Sequence, residues 1–395
     1  MIRKACFLIF VLQLFAITSF AQAPAGASGR KTLLFNENWK FFKGDSEKAF
    51  EVSFDDKGWR NVELPHDYSV EGPFDSQWAS ATGYLPTGIA WYRKTFVVPA
   101  SDKGKQVAIY FEGVSKNGEV WINGHYLGKR PNGYISYQYD LTPYLNIGKQ
   151  NVLAVKVDHQ EFADSRWYAG SGIYRNVYLI ATNKIHIKQW GVFATTPVIN
   201  KDKATVAVNV SIENNAASNQ KVEIENKLAD QNGKLVARNS KAISVAASNG
   251  TDLDLSMEVL KPNIWSIDHP NLYTLTTTIK QGTVVLDEID TKIGIRSFHF
   301  DADKGFTLNG VPMKLKGVCV HHDAGCLGAA VPNGMLQWRV DMAPIAGVIN
   351  QNHGCYGDAA EYIQREQPGG FGKGCGHICY NYLINFVIAR HEATS

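Results

Sequence analysis

Three groups of side chains in this sequence have the types and spacing that chemistry requires. His321, His322 and Asp323 follow one another at the end of an apolar run. Imidazole donates to a hydroxyl and a carboxylate accepts from one, so the trio can grip a polar ligand. Polar residues at such a place also simply cap a strand. Asp164 and Arg166 precede Trp167 and Tyr168, which sets a carboxylate and a guanidinium beside two aromatic rings. A buried Asp there can take two hydroxyls and the rings can stack on a ligand face. In the structural alternative, Asp164 is a turn residue, Arg166 a surface ion-pair partner, and the rings belong to a core. The third group, His353, Cys355, Cys375, His377 and Cys379, offers nitrogen and sulfur ligands for zinc. The Cys375-x3-Cys379 spacing has no ordered scaffold around it, so it makes a weak metal site.

The elements that must position the first two groups are strands. Gln106 to Val114, Glu119 to Gly128 and Asn151 to His159 alternate with a period of two, one face inward and one outward. Asn123-Gly124 between two apolar runs is the sequence of a type I′ hairpin turn. Runs at this spacing from 31 to 183 predict a two-sheet sandwich, a jelly roll. A second β-unit from 184 to 292, with about seven short strands, predicts an immunoglobulin-like sandwich without the antibody disulfide. From 293 to 342 a hairpin with Asn309-Gly310 at its turn leads to a strand ending at His321. A helix then starts near Met335. A strand followed by a helix is how a TIM (β/α)8 barrel opens, and a barrel needs about 250 residues. The remaining segment, 343–395, keeps no helical or strand period and reads as an anomalous tail, out of frame or disordered. The fold class is thus mainly β, with only the start of a barrel. Within that opening, the apolar Val318, Val320, Leu327 and Val331 would need partners from absent barrel strands.

The chain's first residues differ in kind. Arg3 and Lys4 precede an apolar run from Ala5 to Phe20 that ends in small residues, the order of a secretory signal peptide over residues 1–21. The run is too short for a comfortable membrane span, which implies a protein exported to the periplasm or medium with no transmembrane anchor. Charge is nearly balanced, 40 basic against 37 acidic residues, and scattered, which argues against a nucleic-acid partner. After Cys6 no cysteine occurs until Cys319, so cores rather than disulfides must hold the β-units.

Several long motifs carry a family resemblance. Leu64 to Asp75 (LPHDYSVEGPFD), Ala81 to Phe96 and Phe111 to Tyr134 resemble the amino-terminal sugar-binding domain of family 2 glycoside hydrolases. Ser165 to Leu179 resembles the segment that closes that domain. Ile293 to Pro332 is similar to the opening of the catalytic barrel. Among relatives, exported β-galactosidases of Bacteroides-type bacteria look most alike.

The resemblance implies a retaining glycosidase acting on a β-linked oligosaccharide or glycan, which requires two carboxylates about 5–5.5 Å apart. In the family an Asn-Glu pair on barrel strand four is the acid/base, and a Glu on strand seven is the nucleophile. The sole Asn-Glu here is Asn36-Glu37 in the first sandwich, and Glu361 and Glu366 lie in the tail without matching context. No catalytic residue is therefore assigned, and the chain is expected to be truncated and inactive alone. The alternative is a non-catalytic carbohydrate-binding module. By resemblance, substrate contacts fall to Asp164 and Arg166, on a loop reaching towards the barrel mouth, and to His321, His322 and Asp323. Family members often bind magnesium or sodium through barrel residues missing here, so no cofactor and no metal ligand is expected to be retained.

Overall fold

The structure is a computed structural model that describes residues 29–161, 167–315 and 321–342. The leader, the strand expected to end at His321, and the segment 343–395 with its His and Cys residues lie outside the described residues. So do Asp164 and Arg166.

The first unit holds β1 (Lys31–Leu34), β2 (Trp39–Lys43), β3 (Arg60–Val62), β4 (Gly88–Val97), β5 (Gln106–Phe111), β6 (Gly118–Ile122), β7 (His125–Arg130), β8 (Tyr137–Asp140), β9 (Gln150–His159) and β10 (Val177–Thr182). They form a six-stranded sheet, β3-β2-β4-β9-β6-β7, facing a four-stranded one, β1-β10-β5-β8. Every named pair is antiparallel. Period-two alternation sends Trp39 and Phe41 of β2, Val120 and Ile122 of β6, and Leu153, Val155 and Val157 of β9 into one core. Phe35, Trp39, Tyr92 and Phe96 meet edge to face there, with centroids 5.1–6.5 Å apart, the geometry their ring quadrupoles favour. The β6–β7 hairpin turns through Asn123 and Gly124 at φ 50° and 81°, the left-handed pair that a type I′ turn requires.

The second unit holds β11 (Ile185–Ile199), β12 (Lys203–Asn214), β13 (Gln220–Ala229), β14 (Leu235–Val245), β15 (Asn249–Leu260), β16 (Tyr273–Gln281) and β17 (Val284–Ile293). A three-stranded sheet, β11-β12-β15, faces a four-stranded one, β14-β13-β16-β17. In β12 alternate residues Ala204, Val206, Val208, Val210 and Ile212 are buried, and they form one wall of a second core.

The two units are bolted together by charge. Arg30 grips the fully buried Asp287 of β17 with Nε (2.9 Å) and Nη2 (2.8 Å), and Asp287 also accepts from the Ile187 amide at 2.8 Å. Trp190, at a bulge in β11, sets its ring edge on Tyr110 of β5. A small sheet follows, β18 (Phe298–Asp301), β19 (Gly305–Leu308) and β20 (Val311–Pro312), turning at Asn309 and Gly310 with φ 52° and 78°. Helix α1 (Asn333–Met342) is the only α-helix among the described residues. No barrel is present among them. No helix there is long and apolar enough to cross a membrane.

Candidate functional site

The expected site residues that the structure describes gather where the first sandwich meets the segment before α1. Tyr68 to Glu71 of one loop, Trp167 to Ser171 of another, and 321–332 converge there. At the centre is Asp67, which sequence reasoning did not single out. Its carboxylate is 2% exposed and accepts four hydrogen bonds. Oδ1 takes the Ser69 amide at 3.0 Å and the Ser171 amide at 2.9 Å. Oδ2 takes the Tyr168 hydroxyl at 2.6 Å and the Ala329 amide at 2.8 Å. The approach is close enough that the backbone has no room for side chains. Gly170 (φ 70°) and Gly328 (φ 56°) both sit in the left-handed region, and a Cβ at either would run into the Asp67 carboxylate.

His322 lies against this knot. Its Nε2–H donates to the Ala169 carbonyl at 3.2 Å, and its ring packs edge-on to Tyr134 (5.4 Å) and tilted to Tyr174 (5.8 Å). Trp167 Nε1 donates to the Tyr134 hydroxyl at 2.8 Å. The backbone carbonyls of His321 and Asp323 both accept from Arg339 of α1, which ties the helix to the loop. The two aromatic residues proposed as a stacking platform are therefore tethered, Trp167 to Tyr134 and Tyr168 to Asp67. The barrel opening is also less bare than its sequence implies. Val331, Ala329 and Leu336 are buried, and Asp67 and Val70 of the sandwich close over Gly328.

Behind the knot runs a buried polar chain. The Ser69 hydroxyl donates to Ser171 Oγ at 2.7 Å, and Ser171 Oγ shares a hydrogen bond of 2.7 Å with His159 Nδ1. The serine–histidine pairing has the look of a nucleophile and its base, but Ser171 is 0% and His159 1% exposed, so no substrate reaches them. They satisfy one another as a core network. Nearby, His66 Nδ1 pairs with the Tyr92 hydroxyl (2.7 Å) and Nε2 with Glu71 (2.9 Å). Among the described residues no group of three His, Cys, Asp or Glu side chains is placed to hold a metal ion.

Burial shapes the titration of this region. It pushes the Tyr168 hydroxyl well up, and the Asp67 carboxylate beside it adds to the push. It pulls the imidazoles of His66 and His322 down, and that of His186 in β11 of the second unit, against the opposing pull of nearby carboxylates and, for His322, first of the Ala169 carbonyl. A histidine unfolds to a pKa of about 6.5. Below that pH the unfolded chain binds protons that the native one refuses, so stability must fall as pH falls. Glu112, raised by burial, acts in the opposite sense. With three histidines against one carboxylate, the urea midpoint is expected to drop between pH 7.5 and pH 5.5. Replacing His322 by Phe should shrink that drop, and a midpoint flat across the range would contradict the assignment.

Comparison with known proteins gives this geometry a context. Residues 35–183 match the sugar binding domain of glycosyl hydrolases family 2, and residues 185–296 match a second profile of the same family. A β-galactosidase of Bacteroides ovatus is 45% identical over 306 residues, covering 77% of this chain and 36% of that protein. A β-glucuronidase of Formosa agariphila is 30% identical over 355 residues, covering 81% of this chain and 35% of its own length. The solved structure of a family 2 glycosyl hydrolase from Bacteroides cellulosilyticus superposes with a TM-score of 0.76 at 38% identity. It covers 80% of this chain, which spans 42% of it. This chain thus spans little more than a third of the curated relatives' length. Two sandwiches in this order, the matched profiles and these relatives together establish that the chain belongs to glycosyl hydrolase family 2.

Proposed function

We propose that this chain carries the accessory β-units of an exported, retaining, β-galactosidase-like glycosidase and does not hydrolyse glycosides by itself. The observation that carries the reading is the state of Asp67. It is the buried carboxylate at the site, and four donors occupy both of its oxygens. A retaining mechanism needs one carboxylate free to attack and another free to deliver a proton. Asp67 is instead a positioning residue, holding the Tyr168 loop against the segment that bears His321, His322 and Asp323. In this reading those three, with Asp164 and Arg166, contact the sugar in the complete enzyme, and the acid/base and nucleophile stand on the barrel. The galactoside preference follows the higher identity to the β-galactosidase than to the β-glucuronidase. Export rests on Arg3, Lys4 and the apolar run after them.

The purified chain should release no nitrophenol from aryl β-galactosides or β-glucuronides above the buffer rate. Positioned proton transfer alone is typically worth about 10²–10⁴-fold, so a retained acid/base would be visible. Turnover that co-elutes with the polypeptide through successive columns would overturn the reading.

A further inference from the structure

At the free edge of the six-stranded sheet, where β3 ends the strand order, an open groove of about 400 Å³ lies between β2, β3 and the Tyr68–Gly72 loop. Small-molecule sites span about 300–1,000 Å³, so the space suits a sugar unit or two. Phe41, Phe42, Trp59 and Tyr68 form its apolar walls, and Phe42 stacks on Trp59 with centroids 5.4 Å apart. Gly58 lies at the mouth, with nothing within reach of a Cβ built there.

The polar groups of the groove are unevenly matched. The Arg60 guanidinium lies 4.8 Å from the Phe41 ring centre and is ion-paired to Glu71, which His66 also contacts. Lys43 is different. Its ammonium stands 5.4 Å over the Tyr68 ring, and among the described residues it has neither a hydrogen bond nor an ion pair. A cation over an aromatic face whose nearest groove carboxylate, Glu71, is already engaged by Arg60 and His66 is a ready partner for a ligand's negative charge. Burial pulls the Lys43 pKa down while Glu71 and Asp67 oppose it, so an added anion would restore what the site has taken from the ammonium.

We propose that this groove binds an anionic saccharide, a pyranose bearing a carboxylate or sulfate, whose acid group pairs with Lys43. Glu71, which can only accept, takes ring hydroxyls. A bare inorganic anion would leave the exposed Phe42 ring, stacked on Trp59, unused, whereas the C–H face of a pyranose packs against such a ring. The proposal rests on the groove and not on the family reading, and its failure would leave the hydrolysis assay above untouched.

The test is a calorimetric titration of the full chain with four probes: methyl β-glucuronide, methyl β-galactoside 6-sulfate, methyl β-galactoside and sodium sulfate. At least one of the two charged glycosides is expected to bind tenfold or more tightly than the neutral one, and which of them binds identifies the acid group. Lys43→Met keeps the apolar stem and should remove at least tenfold of that affinity, with an unchanged melting midpoint as the folding control. No binding of either charged glycoside, undiminished binding in Lys43→Met, or sodium sulfate binding as well as the glycosides would each overturn the proposal.

Discussion

Asp67→Ala is expected to lower the melting midpoint of the first sandwich by about 10 °C. The substitution strands the Ser69, Ser171 and Ala329 amides and the Tyr168 hydroxyl, all of which end on this one carboxylate. An unsatisfied buried donor costs about 1–3 kcal/mol. Neighbouring losses do not add fully, so about 3 kcal/mol is the expected total. For a unit of this size each kcal/mol moves the midpoint by roughly 3 °C. Asp67→Asn separates the roles of the two oxygens. An amide that keeps Oδ1 facing Ser69 and Ser171 turns an NH2 towards Tyr168 and Ala329. The tyrosine hydroxyl can reverse and accept, but the Ala329 amide cannot. Hydrogen exchange should therefore show Ala329 and its neighbours losing protection while the sandwich strands keep theirs. Equal loss everywhere would mean that Asp67 stabilises the sandwich alone and does not dock the 321–336 segment.

The second large effect is expected at the joint between the two sandwiches. Asp287 has 0% exposure and holds both Arg30 nitrogens and the Ile187 amide. Asp287→Ala takes the carboxylate away from a guanidinium that is 13% exposed and leaves it the Ile187 carbonyl. Removing one partner of a buried pair costs about 3–5 kcal/mol, mostly for the charge left behind. The urea midpoint of the second unit should fall accordingly. The double variant Arg30→Met with Asp287→Leu should lose less than Asp287→Ala alone, because no lone charge remains. If Asp287→Ala stays within about 0.5 kcal/mol of the parent, as surface substitutions do, the pair is not a brace.

The local rules were readable in the sequence. Asn123-Gly124 and Asn309-Gly310 announce left-handed turns because few other dipeptides tolerate two positive φ angles. The alternation of β12 announces its buried face because the strand period is two. Asp67 was not readable as a hub. Its donors at Tyr168, Ser171 and Ala329 lie 101, 104 and 262 residues away, and nothing in the run Leu64 to Asp75 tells which of its acids will be buried. The signal, in hindsight, is the pair of glycines at 170 and 328, which only makes sense beside a close-packed group. Trp167 and Tyr168 were legible as aromatic, but not as tethered, because their partners arrive from other loops, 33 and 101 residues away.

The Arg30–Asp287 clamp also sets a clock on biosynthesis. Its halves are separated by 257 residues, and ribosomes add about 5–20 residues per second, so Arg30 waits roughly 13–51 s for its partner to be made. The first sandwich needs none of that later chain, since its core draws on residues up to Ala181. Trp190 of β11 can already rest on Tyr110, but the charged half of the junction stays unlocked until β17 has closed on β16. The last strand of the second sandwich therefore acts as a latch, fixing the two units to each other only after each has its own core.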